Sequence, residues 1–252
     1  MKKLLFLILL TGITGGVFAQ KGFRAGVKGA YNATFLFNKN VSDAGDELDG
    51  KFSFGPQFGI TLGYMFTEQA GVTVDVLMGT ITQKYSHRLE IDSIPLAEIS
   101  ADFESKVVLK TIDIPVLFHF GVGGGVYLEA GPQLSLISSG ERTVEAFNYT
   151  VDVFGFSLSG NVPENVEDMD YTNGSHISAV LGVGYDINLT EKLALNAGLR
   201  FVWGLSDVYA ESDFKTNDDF LLYNVQAKPS YEPTTAAAGG LHLGLTYNFS
   251  KD

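Results

Sequence analysis

Between Leu193 and Leu205 every second residue is apolar, in the order Leu193, Leu195, Ala197, Leu199, Phe201, Trp203 and Leu205. Between them stand Ala194, Asn196, Gly198, Arg200, Val202 and Gly204. Successive side chains of a β-strand point to opposite faces, so a strand here has one oily face and one small or polar face. The closing segment repeats the pattern, with Leu241, Leu243, Leu245, Tyr247 and Phe249 against His242, Gly244, Thr246 and Asn248. So does 177–189, where Leu181, Val183, Tyr185 and Ile187 oppose Gly182, Gly184, Asp186 and Asn188. Segments 54–66 and 72–78 follow, with Phe58, Ile60, Leu62 and Tyr64 against Gln57, Gly59, Thr61 and Gly63 in the first. Segments 23–35, 108–120 and 126–136 complete a count of eight strands.

The polar faces carry the charges and glycines, and the aromatics lie opposite. A soluble lipocalin-like barrel also has eight strands, but its apolar face lines a ligand cavity. An apolar exterior around a polar interior is the requirement of a transmembrane barrel, which must close because lipid satisfies no open strand edge. The expected fold is therefore all-β: an eight-stranded, antiparallel, up-and-down transmembrane β-barrel. Its connections alternate in length. Short turns fall at 67–69, 121–125 and 190–192, and long loops at 36–52, 82–105, 138–173 and 206–235. Such barrels have short periplasmic turns and longer extracellular loops, which places both termini in the periplasm.

Residues 1–19 read as a cleaved secretory signal peptide. Lys2 and Lys3 precede the uncharged run 4–10, and Val17-Phe18-Ala19 offers a small-residue cleavage site at Ala19. The uncharged stretch is shorter than the ~20 residues of a membrane-spanning helix. The chain has no cysteine, which excludes both a lipidated N-terminal cysteine and a disulfide. No biased linker divides residues 20–252, which are read as one outer-membrane domain.

Removing Lys2 and Lys3 takes the net charge from -12 to -14. The four long connections hold 22 of the 29 acidic residues, so the acidity belongs to the loops. An acidic rim is adverse to nucleic acid, which needs a basic patch. Its plain reading is a solvated, repulsive surface. Divalent-cation binding by Glu164, Glu167, Asp168 and Asp170 is the functional alternative, with no calcium-loop motif to support it.

Little else points to chemistry. His176 and Ser178 with Asp207 supply the residue types of a hydrolytic triad, but triads are recognised by geometry. His119 and His242 read as interior hydrogen-bonding groups, and four scattered histidines form no zinc motif. No catalytic residue, cofactor or metal is expected. The sharper constellation is the set of inward charges: Arg24, Lys28 and Arg200 with Asp75, Asp113, Glu129 and Asp186. Unpaired charges in so narrow a space are costly, so they are expected to pair as structural filling. For Arg200 the candidates are Asp186, Glu129 and Asp113, with Asp186 nearest by strand order. Pro115 and Pro132 each lack a ladder donor and should mark a bulge or strand irregularity.

The run Leu109-Lys110-Thr111-Ile112-Asp113-Ile114-Pro115-Val116-Leu117, the Gly-rich turn after it, and Tyr127-Leu128-Glu129-Ala130-Gly131-Pro132 resemble the central hairpin of the PorT-like outer-membrane β-barrel family. Gly182-Val183-Gly184-Tyr185 and Gly244-Leu245-Thr246-Tyr247-Asn248-Phe249 are similar too. The resemblance implies an outer-membrane barrel without known catalytic residues. The chain departs from the family by ending Ser250-Lys251-Asp252, so the signal read by the insertion machinery would fall at Phe249. The expected function is that of a closed outer-membrane barrel acting through acidic extracellular loops as a binding, adhesion or assembly component. Its surroundings would be outer-membrane lipid, with an unidentified loop-binding partner. A lipid-modifying enzyme, a small pore and a periplasmic lipocalin-like barrel are the alternatives.

Overall fold

The computed structural model describes residues 21–94, 97–169, 172–209 and 231–249. The expected signal peptide and its expected cut at Ala19, Asp170, and most of the 206–235 connection lie outside these.

The sheet has twelve strands: β1 (Gly22–Asn38), β2 (Leu48–Lys51), β3 (Ser53–Met65), β4 (Ala70–Ile94), β5 (Ala97–Gly123), β6 (Val126–Val144), β7 (Phe147–Val153), β8 (Phe156–Val162), β9 (Asn165–Asp168), β10 (Ser175–Asn188), β11 (Leu193–Gly204) and β12 (Thr234–Asn248). The expected eight-stranded barrel with four long extracellular loops is thereby corrected. Segments expected to be loops are strand: within 82–105 β4 runs on to Ile94 and β5 begins at Ala97, β6 to β9 fill most of 138–173, and β2 follows a short helix within 36–52.

Eight of the strands pair antiparallel in the order β1, β3, β4, β5, β6, β10, β11, β12 and back to β1. The other four branch from one end of this circuit. β2 pairs with β4, β7 with β5, β8 with β7, and β9 with β6.

Outward-facing residues of the circuit are oily and exposed, among them Phe58, Leu181, Phe201, Leu241 and Leu243. Aromatic rings gather at both limits of this band. Phe23 packs on Tyr64, Tyr64 on Phe66 and Tyr247 on Phe249 at one limit; Tyr31 stacks on Phe54 and Phe37 lies against Trp203 at the other. Phe23 and Phe35 are about 12 residues apart, which spans roughly 28 Å for a strand tilted about 45°, close to a bilayer's apolar thickness. Aromatic belts at two interfaces are a mark of membrane-spanning sheets.

The short turns share one end with the chain's described limits. Gly121 N–H bonds Gln69 O, Asp186 N–H bonds Gly125 O, Asn248 N–H bonds Lys192 O, and Phe249 N–H bonds Phe23 O, all at 2.7–2.8 Å. β12 itself stops at Asn248, one residue before the Phe249 expected to close it. Neither proline shifts the register: Ile114 and Pro115 face Leu134 and Gln133, Phe118 faces Ala130, and the two partners' numbers sum alike on both sides. The register shifts fall instead between Lys110 and Thr111 and between Gly121 and Gly123, so a missing donor interrupts the ladder without inserting a residue.

Beyond the oily band the pattern inverts. Leu36, Leu48, Tyr85, Val107, Leu109, Met169, Val208 and Ala236 form a buried apolar cluster inside, while Lys51 pairs with Glu104 at 3.1 Å and Arg88 with Asp102 at 3.4 Å outside. His87 stacks on Phe103 and bonds Ser105 Oγ at 2.7 Å. It lies past the aromatic belt. Burial, and Arg142 nearby, push its pKa down to about 4, so it packs as a neutral ring.

Candidate functional site

The interior is layered, and each layer follows from which residues the alternation turns inward. In the layer nearest the termini, Asp186 accepts from Asn196 Nδ2 at 2.5 Å and lies 3.8 Å from Arg24 Nη1 and 3.7 Å from His119 Nε2. Arg24 also touches Met65 Sδ. His119 stacks on Tyr127, whose hydroxyl is 2.9 Å from His242 Nε2.

The middle layer is an ion-pair network. Arg200 binds Glu129 through Nε and Nη2, a two-pronged contact, and reaches Asp75 Oδ2 with Nη1 at 2.8 Å. Lys28 Nζ donates to the same Asp75 oxygen at 2.8 Å. All four side chains are at least nine-tenths buried. β11 and β4 are four pairings apart in either direction around the circuit, so the Arg200–Asp75 contact crosses the whole interior. A planar guanidinium suits this role because it presents donors to two carboxylates at once.

Register explains why Arg200 takes Glu129 and not the expected Asp186. Glu129, Gly182, Arg200 and Gly240 form one row across β6, β10, β11 and β12. Asp186 is four residues along β10 from that row, roughly 13 Å away. Gly182 opens the gap through which the pair meets: a Cβ there would lie 2.6 Å from Glu129 Cγ. Asp113, the third candidate, sits in a layer above. Gln57 Nε2 at 2.7 Å and Thr111 Oγ1 at 3.0 Å both donate to its Oδ2. Of the seven inward charges, then, six fall into two paired groups, and Asp113 stands apart. Asp75 and the spacer Gly182 were the residues sequence reasoning missed for Arg200; register reveals Gly182, and only the contact across the interior reveals Asp75.

His176 and Ser178 share the interior face of β10 and are buried, but no hydrogen bond joins them. Asp207 turns its carboxylate elsewhere, accepting from Thr234 N–H at 2.9 Å, Tyr209 N–H at 3.1 Å and the Tyr231 hydroxyl. The three residues are therefore not assembled as a triad. Glu164, Glu167 and Asp168 are exposed, and no group of three or more His, Cys, Asp or Glu side chains suited to a metal ion occurs among the described residues.

The sequence pattern of the family described as outer membrane protein beta-barrel domain matches residues 18–210. No curated protein matches the chain. Among solved structures, the attachment invasion locus protein Ail of Yersinia pestis is similar at 15% identity and a TM-score of 0.34, covering 91% of this chain and 100% of that one. Neisserial surface protein A is similar at 13% identity and a TM-score of 0.40, with 90% and 97% covered. OprG of Pseudomonas aeruginosa is similar at 10% identity and 0.39, with 93% and 100% covered.

Proposed function

The chain belongs to the outer membrane protein beta-barrel domain family and is an outer-membrane protein; on that footing we propose that it acts at the cell surface through its outer sheet, as a binding, adhesion or assembly component. The reading includes export by a signal peptide cut near Ala19, insertion guided by the C-terminal segment through Phe249, and a packed interior that conducts nothing. The inward charge network serves as the plug. A kinship with the PorT-like branch rests on the 109–117 and 127–132 motifs.

The observation that carries the reading is the β7–β8 hairpin. Among the described residues, β8 pairs only with β7, so its other edge is open. It carries no charge or proline from Phe156 to Val162, although edge strands are commonly protected by such residues. Phe154, Phe156 and Leu158 are 73%, 75% and 66% exposed. Phe154 and Gly155 both take positive φ, 49° and 82°. That turn favours Asn or Gly, so turn formation does not explain an aromatic there. Asp152 lies on β7 next to the turn, and Glu164 and Glu167 follow β8 along the chain. An open edge with apolar anchors is the means by which sheets accept an extended partner.

A photo-crosslinking residue at Phe156 in intact cells is expected to give protein adducts that disappear when Phe154 and Leu158 are replaced by serine. The same probe at Phe201, in the oily band, should give none. Absence of adducts at Phe156 would remove this reading. Sidedness is tested separately: cysteines at Asp46 and Asn148 should react with an impermeant label on intact cells, and cysteines at Gln69 and Gly124 should not. The reverse result inverts the orientation. Asp218, in the same outer loop set by sequence, lies outside the described residues.

A further inference from the structure

Between the Arg200 layer and the apolar cluster lies a cavity with about 40 Å³ open to the centres of water molecules. Asp113, Gln57, Gln133, His176 and Ser178 reach it, and Arg200 forms part of its floor. At about 10–15 Å³ for each such centre, it holds roughly three water-sized particles.

Two features set this cavity apart. Ser178 is fully buried and its Oγ has no partner, and His176 is 3% exposed with Nδ1 unpartnered. Buried polar atoms are nearly always satisfied, by protein, water or an ion. The second feature is charge. Arg24, Lys28 and Arg200 face Asp75, Glu129 and Asp186, three against three, and Asp113 is left over. Its partners, Gln57 and Thr111, are neutral donors. Arg200 is already committed to Glu129 and Asp75. A carboxylate without a counter-charge is costly in a water-poor interior.

The rest of the lining mixes apolar side chains, such as Ile81, Val202 and Ala238, with neutral polar ones, such as Thr80, Ser135 and Gln133. Gln133 spends Nε2 on Ser135 Oγ at 3.0 Å, which leaves its amide oxygen to accept. One carboxylate with neutral oxygens is too little charge for a calcium site, which is built from several carboxylates. It matches a single positive charge. We propose that this chamber binds one monovalent alkali cation, held by the Asp113 carboxylate, Ser178 Oγ, the Gln133 amide oxygen and one or two waters.

The test is equilibrium unfolding in urea of the whole protein in detergent, at fixed ionic strength and pH, in sodium, potassium or N-methylglucamine chloride. Sodium or potassium is expected to raise the midpoint over N-methylglucamine. Above the dissociation constant, a hundredfold rise in the preferred cation should multiply the folded-to-unfolded ratio about a hundredfold. Asp113→Asn should abolish this dependence, and Asp152→Asn, on the outer hairpin, should leave it intact. Should Asp113→Asn fail to fold, Ser178→Ala serves instead and should shift the dependence to higher cation concentration. Equal midpoints in the three chlorides would mean that water alone fills the chamber. A midpoint that responds to pH but not to the cation would assign the missing charge to a proton. Either result overturns the proposal.

Discussion

Arg200→Met is expected to lower the stability of the folded protein by about 3–5 kcal/mol in urea titrations in detergent or lipid, because it strands buried carboxylates that the guanidinium neutralises. The loss is not shared equally between the two. Asp75 keeps a hydrogen-bonded cation, Lys28 Nζ at 2.8 Å, whereas Glu129 keeps none: Lys28 acts on it only through space, and His242 Nε2 stands 3.9 Å from Oε1. Neutralising Glu129 in the Arg200→Met background should therefore recover more stability than neutralising Asp75. Double-mutant cycles separate the two couplings, since each double variant removes both ends of one pair. Asp75→Asn in that background should even add cost, because it leaves Lys28 without its anion. Equal rescue by Glu129→Gln and Asp75→Asn would contradict the asymmetry, and a silent Arg200→Met would contradict the inward placement of this face.

The inward phase of Arg200 is legible in sequence because Leu199 and Phe201 flank it within a long alternating run, and both are exposed on the outer face, 44% and 62%. What lies beyond the oily band is not legible by the same test. There water replaces lipid outside and the apolar residues turn inward, so Tyr85, Ala101, Phe103 and Val107 are buried while Lys84, Arg88, Asp102 and Glu104 lie on the other face. The period of two persists through 84–90 and 98–105, but its polarity is reversed, and a search for oily outer faces reads it as loop. β7 to β9 escape for a related reason: short, mostly exposed strands bury too little to leave a strong pattern. Ion-pair partners are harder still. Asp75 reaches Arg200 across the interior and Asp186 misses it by register, and neither fact is contained in the neighbourhood of any one strand.

Gly182→Ala is the second substitution expected to act strongly, although it adds only a methyl group. The added carbon would stand 2.6 Å from both Cγ and Oε1 of Glu129. Carbon atoms attract at about 3.5–4.0 Å and repel steeply inside that distance, so Glu129 must move. It cannot move freely, because two of its oxygens are held by Arg200. Overpacking alone costs about 1–3 kcal/mol, and displacement from Arg200 adds to it. The three nearest atoms to the new carbon all belong to the Glu129 side chain and none to backbone. Truncating Glu129 should therefore clear the space: in a Glu129→Ala background, itself destabilised, the further change Gly182→Ala is expected to be nearly neutral. Gly184 provides the contrast. A Cβ there meets the Tyr127 ring and also Ala197 O at 2.8 Å, and a backbone oxygen in the ladder has little freedom to retreat. Gly184→Ala should stay costly even when Tyr127 is truncated. If Gly182→Ala costs the same with and without the Glu129 side chain, the glycine is not the gap through which Glu129 meets Arg200, and the row across β6, β10 and β11 has been misassigned.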